Sequence, residues 1–315
     1  MILNRQVLLD ASRDFKLLFQ GGMAQAKPLW PNIATESPSS TFAETYGWLK
    51  DLPSMREWLG SRVVHNLAAS SYTLINRPFE LTVSVPRENF EDDRLGVFRI
   101  PFLNLGESVA MSPDQLIWAM LLNGWNTPCY DGKAYFAEDH PVGNSSLGNT
   151  LALPLANLTD NPAEIGDNFG QAFTKISTFT NDTGQPLGII PSHLFYGPTN
   201  FAAANRILRS EYLSPGVKNP YFNIAEPVMV PWFGISPIWI LACCSRVVKP
   251  VILQRRKNPE FVMKNALTDD NVFFDKEFVY GADDRKNVGV SLWQLAVGST
   301  GIVPQAAKRS EAAKK

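Results

Sequence analysis

Residues 44–93 constrain this chain more than any other stretch. They open with Glu44-Thr45-Tyr46-Gly47-Trp48-Leu49, run through Met55-Arg56-Glu57-Trp58-Leu59-Gly60-Ser61-Arg62 and end at Glu91-Asp92-Asp93. The first half mixes large aromatics with both signs of charge and is broken by Pro53. A folding core has little use for that mixture. A contact between chains does, because aromatics and arginine carry most interface energy. From Phe79 the pattern changes: Phe79, Leu81, Val83 and Val85 alternate with Glu80, Thr82 and Ser84, the period of a half-buried strand. The stretch therefore predicts a long loop made for neighbours that returns to the body through a strand. Trp48, Arg56, Glu57, Trp58 and Arg62 are its candidate interface residues.

The rest of the composition narrows the class. With 315 residues, 45% of them hydrophobic and 19% charged, the chain is long and apolar enough for one large or two modest domains. A formal net charge of −1 argues against a general nucleic-acid binder. The charge is uneven, however. Residues 246–315 hold 13 Lys/Arg and 8 Asp/Glu, which leaves 16 of the 29 basic and 22 of the 30 acidic residues for the first 245. Arg255-Arg256-Lys257 is the one compact basic cluster, a candidate DNA-facing site set against the plainer reading of a solvated face. The three cysteines, Cys129, Cys243 and Cys244, read as buried free thiols, consistent with assembly in a reducing cytoplasm. Asn4, Arg5 and Asp10 interrupt the only early apolar stretch, so no signal peptide is expected, and no apolar run is long enough to span a membrane.

Taken in order, residues 3–20 read as an amphipathic helix, either docked elsewhere as an arm or packed on its own domain. Residues 27–41, with three prolines, read as an extended linker. Residues 92–124 read as the main helical region, with a stripe of Leu95, Phe98, Phe102, Leu105 and Val109. Pro101 bends that helix or marks its true start. Ser112-Pro113-Asp114-Gln115 reads as a capping box opening a further helix, which Gly124 ends. Residues 125–161 read as irregular, Asn161-Pro162-Ala163-Glu164 as the start of a helix lined by Ile165, Phe169, Phe173 and Ile176, and residues 187–196 as a buried strand. Short strands follow Val228, and 272–297 reads as a hairpin turning at Gly281-Ala282-Asp283-Asp284-Arg285.

Chemistry is poorly represented. Glu138-Asp139-His140, with Cys129 eleven residues before His140, is the most metal-like group, yet the three histidines (His65, His140, His193) are isolated and no Cys-x-x-Cys occurs. A structural Asp–His contact is the preferred reading over a metal-assisted hydrolase using Asp139 and His140. There is no Gly-x-Ser-x-Gly elbow and no Walker-type Gly-Lys-Ser/Thr, and a Cys129–His140 thiolate pair is less simple than a packing role for Cys129. No catalytic, cofactor-binding or metal-ligating residue is assigned, and no cofactor is expected.

Several strings in this chain resemble the Mu-like phage major head subunit family. They are Glu44-Thr45-Tyr46-Gly47-Trp48-Leu49, Arg56-Glu57-Trp58 with Gly60 and Arg62, Glu91-Asp92-Asp93, Thr127-Pro128-Cys129-Tyr130-Asp131-Gly132 and Asp139-His140-Pro141-Val142. The resemblance spans roughly residues 10–300. It implies an α+β chain with the tailed-phage major capsid fold, divided into an N-terminal arm (1–40), an extended E-loop (41–78), a P-domain of strand and spine helix (79–155), an A-domain (156–255), P-domain return strands (256–303) and a disordered tail (304–315). It also implies a structural protein of the virion, assembled in the host cytoplasm into hexamers and pentamers of an icosahedral head. The implied partners are further copies of the chain, a scaffold-protease, a portal, decoration proteins and non-specifically bound double-stranded DNA, with no membrane. The alternative within the same architecture is the shell of a bacterial nanocompartment.

Overall fold

The computed structural model describes residues 5–47, 72–92, 94–157 and 164–302. Two 14-residue strands, Val251–Lys264 and Glu277–Val290, form an antiparallel ribbon running from Val251 opposite Val290 to Lys264 opposite Val279. Arg77–Pro86 adds antiparallel along one side of the ribbon, and Ala34–Pro38 adds parallel along the other, giving a four-stranded sheet. Arg77–Pro86 is an outer strand, mostly exposed, with prolines at positions 78 and 86. A second sheet orders five short strands as Glu226–Met229, His193–Tyr196, Trp239–Ala242, Ala296–Ser299 and Thr150–Leu151. Every residue of Trp239–Ala242 and Ala296–Ser299 is buried, as the uninterrupted apolar run of the first requires. Helices Asp167–Ser177 and Phe201–Leu208 pack against this sheet.

Two hydrophobic cores form among the described residues, and the ribbon enters both. The larger core gathers around the five-stranded sheet and includes Val251, Ile252, Leu253 and Val290 at one end of the ribbon. The smaller core is largely aromatic and includes Phe278, Tyr280 and Ala282 nearer the other end. The helix Arg5–Gln25 contributes Leu8, Ala11, Phe15 and Phe19 to this smaller core, so it packs on its own chain, the second of the two placements its sequence allows. Phe15 stacks on Phe102 at 4.1 Å, and Tyr280 meets both rings edge-on. Aromatic pairs in this geometry add about 0.5–1.5 kcal/mol each beyond their buried area. The helix crosses Arg99–Leu122 at backbone distance. A Cβ on Gly22 would lie 2.0 Å from the Leu103 carbonyl oxygen, and one on Gly106 would lie 2.0 Å from that of Phe19.

The long helix settles two sequence questions. Arg99–Leu122 is continuous, preceded by a tight turn at Leu95–Phe98. Pro101 sits in its first turn, where a missing N–H costs nothing, so it marks the start. Ser112 does not cap a new helix. Pro113 lies inside the helix and cannot serve the Val109 carbonyl, and the Ser112 hydroxyl donates to that oxygen instead, at 2.9 Å. Asp114 reaches outward from the helix, accepting the Leu29 N–H at 2.8 Å and the Trp118 indole N–H at 3.3 Å.

Other expectations are corrected. Residues 27–41 are not a bare linker: Trp30–Ile33 makes one helical turn and Ala34–Pro38 pairs with the ribbon. Gly281–Arg285 is no turn but the middle of Glu277–Val290, paired on both sides. The true connection is 265–276, holding the short helix Asp270–Phe274. Asp283 and Asp284 are tolerated in a strand because Lys257 and Lys286 pair with them. Within 125–161, His140–Val142 and Ser145–Leu147 form a small hairpin. The expected capping segment at 161–163 and the tail at 304–315 lie outside the described residues, and the helix after it is Asp167–Ser177.

The glycine crossing makes a direct prediction. Gly106→Ala forces a methyl into the Phe19 carbonyl and is expected to destabilise the subunit by about 1–3 kcal/mol. Gly21→Ala, whose methyl would meet only Leu103 Cδ2 at 3.6 Å, should be neutral or stabilising by up to about 1 kcal/mol. Urea unfolding of the two variants side by side checks this.

Candidate assembly interface

Trp48, Arg56, Glu57, Trp58 and Arg62 all lie outside the described residues; the structure describes the segments that flank them in sequence, the base of the candidate loop. Strands Ala43–Thr45 and Thr73–Ile75 pair antiparallel, Thr45 opposite Thr73 with their hydroxyls 2.9 Å apart. The two ends of the described chain on either side of 48–71 are thus held next to each other.

A buried polar network fixes this base to the ribbon. Gln254, fully buried on Val251–Lys264, accepts the Tyr46 hydroxyl at 2.9 Å and donates to the Leu74 carbonyl at 3.1 Å and Asn76 Oδ1 at 2.9 Å. Asn76 in turn donates to Ser39 Oγ at 2.8 Å and the Thr41 carbonyl at 2.9 Å. Tyr72, its phenol pushed up to about 12 by burial, accepts the Val290 N–H at 3.0 Å. One carboxylate oxygen of Glu44 accepts the N–H groups of Ser40 and Thr41 at 2.8 and 3.2 Å and the Ser39 and Thr41 hydroxyls at 2.9 and 3.1 Å. Those donors, the Ser40 N–H foremost, hold its carboxyl below the usual value. None of Gln254, Asn76 or Ser39 was assigned a role from sequence. A lone amide following Val251-Ile252-Leu253 is the signal that could have found the centre of the network.

Beside this base, between Arg77–Pro86 and the long helix, lies a cavity of about 370 Å³ lined by Phe79, Leu81, Val109, Ser112, Asp284 and Lys286 among others. Lys286 and Asp284 form a buried ion pair, with side chains 1% and 4% exposed. Lys286 also donates to Ser112 Oγ at 2.6 Å, and its ammonium sits 4.8 Å from the Phe79 ring centroid. Burial pushes the Lys286 ammonium down, against the pull of Asp284. The other Asp284 oxygen has no partner among the described residues. Removing either member of such a pair strands a buried charge.

The basic cluster does not stay together. Arg255 pairs with Glu36 at 2.5 Å and Lys257 with Asp283 and Glu260 at 2.7 and 3.0 Å, while Arg256 between them is exposed. The strand alternation separates them, one face against the other. Asp139 pairs with Lys133, whereas His140 turns to Asp131 at 2.6 Å and Asn149 at 3.1 Å. The expected Asp–His contact exists with Asp131 in place of Asp139. Burial pushes the Cys129 thiol well up, and its partners are backbone groups, the Ser291 carbonyl among them, so no thiolate–imidazole pair forms among the described residues. No group of three or more His, Cys, Asp or Glu suited to a metal occurs among the described residues, and no described helix is long and apolar enough to cross a membrane.

Glu44 has a testable pH signature. Its folded carboxyl stays ionised where the unfolded one, near 4.5, is protonated. The stability it contributes is therefore complete above that value and lost as pH falls through the folded value. Glu44→Ala is expected to lower stability at neutral pH, with the gap to the parent chain closing on acidification below about pH 4, as read by urea unfolding at each pH.

With this geometry in place, comparison with known proteins is specific. The sequence profile of the family described as Mu-like prophage major head subunit gpT matches residues 8–165, 164–233 and 234–314. The major capsid protein of Escherichia phage Mu is 32% identical over 283 residues, 90% of this chain and 70% of that protein. Among solved structures, the procapsid of bacteriophage JBD30 aligns with a TM-score of 0.61 at 28% identity, covering 98% of this chain and 80% of that one. The JBD30 capsid decorated with minor capsid protein trimers gives a TM-score of 0.56 at 27% identity, covering 68% and 93%. These matches favour a phage head over the nanocompartment shell of similar architecture. The chain belongs to the Mu-like prophage major head subunit gpT family: it is a major capsid protein with the tailed-phage capsid fold, a structural subunit of the virion shell and not an enzyme.

Proposed function

We propose that this subunit joins its neighbours through residues 48–62, with Trp48 and Trp58 as apolar anchors and Arg56, Glu57 and Arg62 setting register. The observation that carries this reading is the base. Residues 39–47 and 72–77 are tied to one another and to the ribbon through Gln254, so a segment leaving there starts from a fixed position and direction. A rigid base lowers the ordering cost of docking. In this reading residues 1–40 are the arm, 41–78 the E-loop, 79–155 and 256–303 the P-domain, and 156–255 the A-domain. Scaffold-protease and portal are the expected assembly partners. A decoration protein is a further one, in line with the minor capsid protein trimers on the JBD30 capsid. For packaged DNA, Arg256 is the member of the basic cluster best placed, since Arg255 and Lys257 are engaged in ion pairs.

Trp58→Ala tests the interface. It is expected to cost about 2–4 kcal/mol per contact and to abolish or sharply reduce particles. Unfolding of the unassembled subunit should be unchanged. Light scattering and negative-stain images beside thermal unfolding give the two readouts, and an equal fall in both would place Trp58 in the subunit core. Shells should also be held without covalent links, since Lys50 is the only lysine in 41–78 and nothing marks a partner for it. Denaturing gels of mature heads should show one band at the mass of a single subunit rather than a ladder of its multiples.

A further inference from the structure

The cavity between Arg77–Pro86 and the long helix is walled by apolar side chains from three elements: Phe79 and Leu81 from the outer strand, Val109 from the helix and Ala282 from the ribbon. Its volume of about 370 Å³ falls within the range of ligand clefts, roughly 300–1,000 Å³. Asp284 lines the same space. Its side chain is 4% exposed, and one of its oxygens holds the Lys286 ammonium. The other has no partner among the described residues.

The charged groups around the cavity are otherwise engaged. Lys286 donates to Asp284 and to Ser112 Oγ and lies over the Phe79 ring. Asp283 is paired with Lys257, and the exposed Glu80 accepts the Thr82 hydroxyl at 2.6 Å. The unmet bonding capacity is therefore that of an acceptor. A buried carboxylate oxygen without a donor is costly, which favours whatever brings one. A second cation is disfavoured, because it would share one carboxylate with the Lys286 ammonium and stand close to it. An anion is repelled by Asp284. Water is a poor filler as well: an ordered molecule takes about two to four polar partners, and Phe79, Leu81, Val109 and Ala282 supply none.

We propose that this cavity is a binding site for a neutral, flat apolar group that carries a single hydrogen-bond donor, an indole ring being the chemistry that fits. Such a ring gives a large rigid contact at little cost in rotational freedom and offers its N–H at one edge. It lies against Phe79, Leu81 and Val109, and the N–H serves the second oxygen of Asp284. The same chemistry has two sources, a free heterocycle or a tryptophan side chain of another copy of this chain, where Trp48 and Trp58 carry it. The demand set by the cavity is the same for both, so the site does not rest on the loop contact proposed above.

The test uses the full-length, unassembled chain with indole as the probe, followed by saturation-transfer NMR on the ligand. Binding should be saturable, with a dissociation constant of about 1 mM or below. N-methylindole, which has the same rings and no N–H, should bind at least about tenfold more weakly. Benzamidinium, a flat cation, should also bind more weakly than indole. Leu81→Trp and Ser108→Trp fill the cavity from the strand and the helix at exposed positions. Either variant, once its urea unfolding matches the parent chain, should abolish indole binding. The N-methylindole comparison decides even where neither variant folds. Absence of saturable binding, equal binding of N-methylindole, tighter binding of benzamidinium or retained binding in both filled variants overturns the proposal. Particle formation separates the sources. Loss of particles in the filled variants, with indole inhibiting assembly of the parent chain, assigns the ring to a second copy; normal particles assign it to a free ligand. Trp58→Ala, read alongside, keeps the two contacts apart: particles lost there and normal in the filled variants leave the loop reading standing and exclude this cavity as its receptor.

Discussion

Two strands of 14 residues, hydrogen-bonded along about 45 Å, run from one hydrophobic core into the other. At one end, Val251, Ile252, Leu253 and Val290 pack under the five-stranded sheet; towards the other, Phe278 and Tyr280 meet the rings of Phe15, Phe90 and Phe102. Neither core closes without this ribbon. The first helix, the long helix and both flanking strands are placed by contact with it or with one another. A subunit that must hold its shape while neighbours pull on it gains from a continuous ladder between its two ends, since bending there would break many hydrogen bonds together.

The long helix is tied to the same ladder at its weakest point. Pro113 removes one helical hydrogen bond, Ser112 supplies a donor in its place, and Lys286 from the ribbon bonds to that same hydroxyl. Helix, ribbon and the buried Asp284 are thereby joined through a single oxygen. The base of 48–71 uses a parallel device one face away, with Gln254 as the shared group. In both places a buried polar side chain on the ribbon ties a neighbouring element to it by hydrogen bonds.

Patterns with a period were legible in the sequence; charge partners were not. The alternation at Phe79–Val85 gave the outer strand, and the stripe through Phe102 and Leu105 gave the helix, because both repeat with the geometry of the element. Gly281-Ala282-Asp283-Asp284 has the composition of a turn. It becomes a central strand only because Lys257 and Lys286 stand opposite or beside the aspartates, a fact set by pairing at a distance. Likewise Ala34–Pro38 has little strand preference of its own and is held by a parallel neighbour more than two hundred residues away. At the candidate interface, the aromatic and arginine content marked the segment. Its anchoring residues, Gln254 and Asn76, belong to other stretches and have no local signature.

The outer strand Arg77–Pro86 bears on how such a chain survives at high concentration before it is built into anything. An open sheet edge is a template for indiscriminate strand addition. This one carries proline at 78 and 86, which have no N–H to offer, and Arg77 and Glu80 place charge along it. A stray strand meets gaps in the ladder and a charge to desolvate. Crowding therefore finds a poor template for fibres along this edge. The edge is chemically quiet, and growth is left to surfaces that recognise by side chain, where a wrong encounter can come apart again.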